Sequence, residues 1–412
     1  MTTHQMKPAS TMGFDWHSTM DYNRDSQMDT PVTYPHGWNR ADIERDPDWI
    51  FHLTPAQIAD FEQALAHARS LGKPMLALSR ADFPIGGDAL AVLRAAIGET
   101  QIGRGFQVLR GFPVHNWTVD DIRLFFWCVG LQMGVARPQG KDSKLLNDVR
   151  DIGVDYRSAT GRGYSSRSAL DFHADGSDLV GLMCIRTARS GGTSLISSSI
   201  RAYNEVLRTA PDLAHELAGL FVYGRQGEQA PEEPPYYEAP VVGWKDGRFA
   251  CRHIRNHINT AQRVFPEIPR LTDRQRAALD LFDATLARED LCFDMSFEPG
   301  DIQLINNHIV LHSRTDYEDH DEPERKRHLL RLWIALPQGQ ALPDNWAAAY
   351  KDTLPRAVRG GFRGVGITPE IRAFEERLAA EHGMRLDIYR DLEQHRSAQP
   401  GEPRNQNQKE PA

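Results

Sequence analysis

From about residue 145 to residue 340 the chain is made of short apolar runs broken by Gly, Pro and Asn, among them "GLMCIRTARSGGTSLISS", "GDIQLINNHIVLH" and "HLLRLWIAL". Runs of this length bounded by turn residues read as strands, and several at close spacing favour a sandwich or jelly roll over a parallel sheet. One helical pattern interrupts them, "TDRQRAALDLFDATLARED", opened by Thr272 as N-cap with Gln275 completing a capping box. Helices flank the region. "TPAQIADFEQALAHARSLGKP" has Thr54 as N-cap, Pro55 at the first helical position, Gln57 for the capping box and Gly72 as terminator. "TVDDIRLFFWCVGLQMG" starts at Thr118, "ITPEIRAFEERLAAEHG" repeats the Thr-Pro start, and "GFQVLRGFPV" between them alternates like a strand. The expected class is mainly β with flanking helices (α+β) around a jelly-roll core. A polar N-terminal arm or strap is expected over residues 1–48, one catalytic domain over 49–345, a helical extension over 346–394, and over 395–412 a tail too polar to order itself.

Charge and cysteine usage narrow the function classes. A formal net charge of −8 over 412 residues, with no basic stretch laced with aromatics, argues against a nucleic-acid partner and for a small-molecule one. The four cysteines, Cys128, Cys184, Cys251 and Cys292, lie far apart without CxxC spacing and read as buried thiols in a reducing compartment. No apolar signal region or long apolar window occurs, so a cytoplasmic protein without a membrane partner is expected, its oligomeric state left open.

In "SALDFHADGSDLVGLM" a histidine and an aspartate, His173 and Asp175, stand two residues apart in an otherwise apolar run; on a strand they share a face, where one metal can bridge them. The spacing alone proves little. It recurs at His320 and Glu322, within "DYEDHDEPERKR", where the charge density marks a solvated loop. A facial triad of two histidines and a carboxylate needs a third ligand from a neighbouring strand. "PGDIQLINNHIVLHSRTDYED" offers His308, just after an Asn-Asn turn, and His312, at the end of an apolar run where an inward ligand belongs; His312 is the better candidate. In "KRHLLRLWIAL", Arg327 and Arg331 fall four apart on an alternating strand and so share a face, where an inward guanidinium needs a carboxylate partner.

Taken in order, "GFQVLRGF", "DFHADGS", "GGTSLISSSIRAYNEVL", "GDIQLINNHIVLHSRTDYED" and "RHLLRLWIAL" resemble the TauD/TfdA and clavaminate-synthase-like group of Fe(II)- and 2-oxoglutarate-dependent oxygenases, over about residues 100–340. The resemblance implies a double-stranded β-helix, Fe(II) bound by His173, Asp175 and His312, and 2-oxoglutarate as co-substrate with its distal carboxylate on Arg327. Arg331 falls where members of the group approach the other carboxylate or the substrate. The group usually has Gly-Gly-(Asp/Glu)-Thr; here Thr193 occupies the acidic position and Ser194 the hydroxyl position, so either can reach 2-oxoglutarate. The implied reaction consumes dioxygen, releases succinate and CO2, and hydroxylates or desaturates a small, anionic or carboxylated metabolite. Asp175 as a ligand disfavours halogenation. Arg150, Arg157, Arg162 and Arg167 with Tyr156 and Tyr164 are candidates for a lid over such a substrate, Arg162 and Tyr164 with Asn147 being the candidate contacts. The rival enzyme is a jelly-roll, metal-dependent isomerase or lyase that does without 2-oxoglutarate and gives Arg327 no special role. His215-Glu216 lacks the second histidine of a zincin, "GGFRGVG" lacks dinucleotide-binding spacing, and "SGGTS" is not a nucleophile elbow.

Overall fold

A computed structural model describes residues 36–153, 163–231, 233–362 and 367–389, with the backbone alone at Tyr164. Each helix start foreseen from its threonine is present. Helix Pro55–Ser70 is opened by reciprocal bonds between Thr54 and Gln57, Val119–Met133 by Thr118 with Asp121, Asp273–Leu286 by Thr272 with Gln275, and Pro369–His382 by Thr368 accepting from the Ile371 N–H. Beyond the first of these, Gly72 takes φ +60°, the left-handed turn that ends a helix.

Two sheets make the core. The larger has seven strands, running Ile50–His52, Phe106–Arg110, Ile302–Asn306, Leu179–Arg186, His328–Ala335 and Val135–Ala136, with Leu146–Val149 also paired to His328–Ala335. The smaller runs Phe293–Met295, Ser194–Ser198, Val310–Arg314, Leu170–His173. All pairings are antiparallel except that of Ile50–His52 with Phe106–Arg110. The chain crosses between the sheets at Asn307–Ile309, so "GDIQLINNHIVLH" supplies one strand to each.

Strand period decides what lies on each side. Along His328–Ala335, Leu330, Leu332 and Ile334 join a cluster with Phe125, Phe126 and Phe374 of the flanking helices. Arg327, Leu329, Arg331 and Trp333 alternate with them and face a pocket between the sheets. Each fully buried leucine here is worth about 1.5–3 kcal/mol, which holds the register and with it the direction of both arginines. A second cluster fills the space between the sheets, joining Phe106, Val180 and Ile305 to Phe172, Ile196 and Val310. Among the described residues the two sheets do not close into a barrel.

The polar stretch before residue 49 is a strap rather than a loose arm from residue 36 on. Trp38 is fully buried, its indole N–H donating to the Arg104 carbonyl at 2.8 Å, and Ile43 of helix Arg40–Arg45 joins the core. Helix Pro369–His382 likewise buries Phe374 and Leu378 in the first cluster, and its Glu375 pairs with the buried Arg137 at 2.5 Å. All four cysteines are buried and free, as expected; burial pushes the Cys128 and Cys184 thiols up to about 12. Among the described residues no helix is long and apolar enough to cross a membrane.

Candidate active site

His312, on strand Val310–Arg314, lies directly opposite His173 in the antiparallel pairing with Leu170–His173, and their rings sit 4.4 Å apart. The strand ends at His173. Asp175 is therefore placed by a loop rather than by strand alternation: its N–H donates to Asn307 Oδ1 at 3.1 Å, and Asn307 Nδ2 donates to the Ser177 carbonyl at 3.1 Å. One ligand atom from each of His173, Asp175 and His312 lies within 4.8 Å of the others, a His-Asp-His cluster able to hold one metal ion. The donor set, two imidazoles and a carboxylate, suits ferrous iron with coordination positions left open.

The protonation of the cluster fits that role. Burial pulls His312 down to about 3, with His173 and Arg331 pulling the same way, and burial lowers His173 too, so both rings are neutral at physiological pH. Burial alone would raise the Asp175 carboxyl, but the Arg331 guanidinium at 3.4 Å overrides it and holds the group at about 2, ionised. His173 Nδ1 donates to the Asp171 carbonyl at 2.8 Å, leaving Nε2 for a ligand; this supporting acceptor could not be named from the sequence.

The pocket above this cluster encloses about 1050 Å³, open solvent at its mouth included, and His173, Asp175, His312, Ser194, Arg327 and Arg331 all face it. Arg327 is 5 % exposed, and among the described residues no carboxylate pairs with its guanidinium. It lies against the Tyr317 ring at 5.0 Å, and its buried Nη1 has no hydrogen-bond partner. A desolvated cation with an idle N–H on a pocket wall is a fit for an incoming carboxylate. Gly192, at φ +70°, makes room for it, since a Cβ there would stand 3.1 Å from Arg327 Nε. Ser194, buried and bonded to Gln303 at 3.2 Å, faces the same pocket, while Thr193 is turned to the Thr315 hydroxyl through its backbone N–H.

Arg331 is held differently, its Nε donating to Gln139 Oε1 at 2.8 Å and its Nη1 facing both oxygens of Asp175. Gln139 grips the strand in return through the Arg331 and Leu145 carbonyls. Asn147 is buried and in register with Arg331, so it shares that residue's face of the sheet, but it is not among the residues lining the pocket. Arg162 and the Tyr164 side chain, with Tyr156 and Arg157 of the candidate lid, lie outside the described residues; Arg150 and Arg167 are exposed.

His308 belongs elsewhere. Its Nε2 donates to Asp178 Oδ1 at 2.9 Å, and the same oxygen accepts from Arg359 Nε at 2.8 Å, in a fully buried group that ties the metal loop to the C-terminal segment. His308→Leu should therefore lower stability by about 1–3 kcal/mol, the penalty of a buried polar partner left unmatched, and lower Tm accordingly. Fe(II) binding in the same protein should be unchanged; its loss would put His308 in the metal site.

Gln139 and Asn307 were missed by sequence reasoning, as was the pocket segment Arg252–His257. None carries a local signal, because each acts on a partner more than 70 residues away in the chain.

The sequence profile described as "Taurine catabolism dioxygenase TauD, TfdA family" matches residues 67–333. The chain belongs to the TauD/TfdA family. As a TauD/TfdA protein it is a non-haem iron dioxygenase that uses 2-oxoglutarate, the activity the resemblance implied. Among curated proteins it is 32 % identical over 322 residues to FR-33289 synthase of Streptomyces rubellomurinus, covering 76 % of this chain and 93 % of that one. It is 29 % identical over 311 residues to a taurine hydroxylase-like protein of Stachybotrys chartarum, covering 72 % and 77 %. In fold it matches asparagine oxygenase in complex with Fe(II), 2S,3S-3-hydroxyasparagine and succinate, with TM-score 0.52 and 16 % identity over 70 % of this chain and 93 % of that one. It matches the non-heme iron oxygenase OrfP in complex with Fe and alpha-ketoglutaric acid equally well, with TM-score 0.52 and 15 % identity over 69 % and 93 %. The TauD/TfdA match thus takes in the strands of both sheets described above, apart from Ile50–His52 and the last residues of His328–Ala335.

Proposed function

We propose that this dioxygenase hydroxylates a small anionic metabolite, with His173, Asp175 and His312 as the iron ligands and Arg327 and Ser194 as the grip on the distal carboxylate of 2-oxoglutarate. The observation that carries the reading is one pocket in which a His-Asp-His cluster and a buried arginine without a carboxylate partner among the described residues face the same space. When bound, iron and 2-oxoglutarate supply the oxidising chemistry: 2-oxoglutarate and dioxygen yield succinate and CO2, and one oxygen atom enters a C–H bond of the substrate.

The chain's own residues set the conditions. The Asp171 carbonyl fixes the His173 tautomer, Asn307 aims the Asp175 carboxylate, and Arg331 keeps that carboxylate ionised while Gln139 holds the guanidinium in place. Hydroxylated amino acids occupy asparagine oxygenase and OrfP, which supports a small-molecule substrate for a pocket of the same fold. Four buried free thiols support a reducing, cytoplasmic setting.

Ser194 rather than Thr193 is the hydroxyl partner in this reading. Ser194→Ala should weaken 2-oxoglutarate binding about 2- to 10-fold, the effect of one hydrogen bond worth about 0.5–1.5 kcal/mol, whereas Thr193→Val should leave it unchanged. The reverse pattern in a calorimetric titration would exchange their roles. The reading as a whole is tested by anaerobic Fe(II) titration with and without 2-oxoglutarate. A weak visible charge-transfer band requiring both is the expected result, followed by succinate release when anionic metabolites and air are supplied. Iron binding with no response to 2-oxoglutarate would refute it.

A further inference from the structure

We propose that the substrate presents an oxyanion to Arg252 and to the first turn of helix Arg255–Val264, a recognition site separate from the arginine that serves 2-oxoglutarate. The proposal rests on the iron and 2-oxoglutarate reading above and adds the group by which the substrate is recognised.

The segment Arg252–His257 lies beside the metal cluster. The Ala174 N–H donates to the His253 carbonyl at 2.9 Å, and Ile254 forms an antiparallel bridge with His173, so the segment runs along the loop that carries Asp175. Arg252, Ile254, Asn256 and His257 all face the same pocket as the metal ligands.

Arg252 is 4 % exposed and packed among tyrosines, one of which, Tyr237, also carries the Arg225 guanidinium on its ring at 4.5 Å. Arg252 Nε donates to the Tyr237 hydroxyl at 3.1 Å, Nη2 donates to the same oxygen, and the rings of Tyr237, Tyr350 and Tyr223 stand 5.4, 5.2 and 5.8 Å from the guanidinium carbon. Among the described residues no carboxylate pairs with it, and its buried Nη1 has no hydrogen-bond partner. The other pocket arginines are accounted for. Arg331 is held by Asp175 and Gln139, Arg314 by the Ser166 and Ser168 carbonyls, and Arg327 is assigned to 2-oxoglutarate. The partners of Arg252 among the described residues are phenols and ring faces, so an incoming oxyanion would add the charge-assisted bond that its idle N–H lacks.

The helix that follows strengthens the site. Its N-cap residue is Ile254, which supplies no capping side chain, and the first turn carries Asn256 on the pocket wall. An uncapped helix N-terminus presents N–H donors and the positive end of the helix dipole. Two independent features, an idle arginine N–H and an uncapped helix start, thus converge on one wall of the pocket. Carboxylates and phosphoryl groups share the chemistry that such a wall recognises.

The test uses full-length protein loaded anaerobically with Fe(II) and saturating 2-oxoglutarate, so that Arg327 is occupied. Inorganic phosphate, acetate and neutral acetamide are titrated by calorimetry while the charge-transfer band monitors the loaded centre. One of the two anions is expected to bind saturably and acetamide not at all, the preferred anion telling a phosphoryl from a carboxylate substrate. Arg252→Gln should weaken that binding at least tenfold with the band intact, and Arg252→Lys should restore part of it. Asn256→Asp sets a negative charge on the same wall at a half-buried position where acidic residues favour a helix start; it should also weaken the anion at least tenfold, and it carries the test should Arg252→Gln fail to fold. No anion binding by the wild type, or equal binding by the wild type and the variants, overturns the proposal. A missing charge-transfer band in the wild type would instead overturn the iron and 2-oxoglutarate reading.

Discussion

Replacing Arg327 with alanine is expected to weaken 2-oxoglutarate binding by about 30-fold to several thousand-fold, the equivalent of about 2–5 kcal/mol for truncating one partner of a buried charge pair. The effect is large because the pocket offers little to take over. Arg327 is buried, its Nη1 has no hydrogen-bond partner among the described residues, and Arg331 is already committed to Asp175 and Gln139. Burial pulls the Arg327 cation below its usual pKa, with the nearby Tyr317 opposing, so an incoming carboxylate relieves an existing penalty. The alanine variant loses no carboxylate partner among the described residues and should fold. Arg327→Lys should recover only part of the affinity, since a point charge cannot reproduce a two-pronged fork. Calorimetry on the Fe(II)-loaded protein separates the cases, and an unchanged Kd in Arg327→Ala would move the anchor to another residue. Fe(II) binding without 2-oxoglutarate should be indifferent to the change.

Asp175→Ala has the second large effect, a loss of Fe(II) affinity greater than the roughly 10- to 100-fold that follows removal of a mere supporting group around a metal. Asp175 supplies the negative charge of the cluster, and two neutral imidazoles beside the Arg331 cation are a poor site for a dication. Asp175→Asn sharpens the point, because it keeps the shape and discards the charge. It too should lose the charge-transfer band and succinate release. Iron binding retained at wild-type strength in both variants would remove Asp175 from the ligand set.

Much of the fold was open to reading along the chain because its causes are local. A threonine followed three residues later by Gln or Asp caps a helix whatever lies elsewhere, and this held at Thr54, Thr118 and Thr272. Strand period alone put Arg327 and Arg331 on one face, and they do face one pocket. Part of the site was legible for the same reason: His312 ends an inward-facing apolar run, whereas His308 follows a turn.

Asp175 shares the pocket with His173 as their spacing suggested, but not by strand alternation, for it sits beyond the end of its strand and is aimed by a side chain 132 residues away. That Ser194 lines the pocket and Thr193 does not could not be read from adjacent residues of similar chemistry, since it depends on which one the strand pairing turns inward. Arg252 carries no local signal in the sequence; the pairing of Ile254 with His173 sets it beside the metal loop among three tyrosines. Helix starts, strand faces and the types of ligand available follow from neighbours within a few residues and are therefore written in the chain. Which ligands meet, which arginine keeps an idle N–H and what supports each histidine depend on long-range strand pairing and burial, and those are decided only when distant segments share one core.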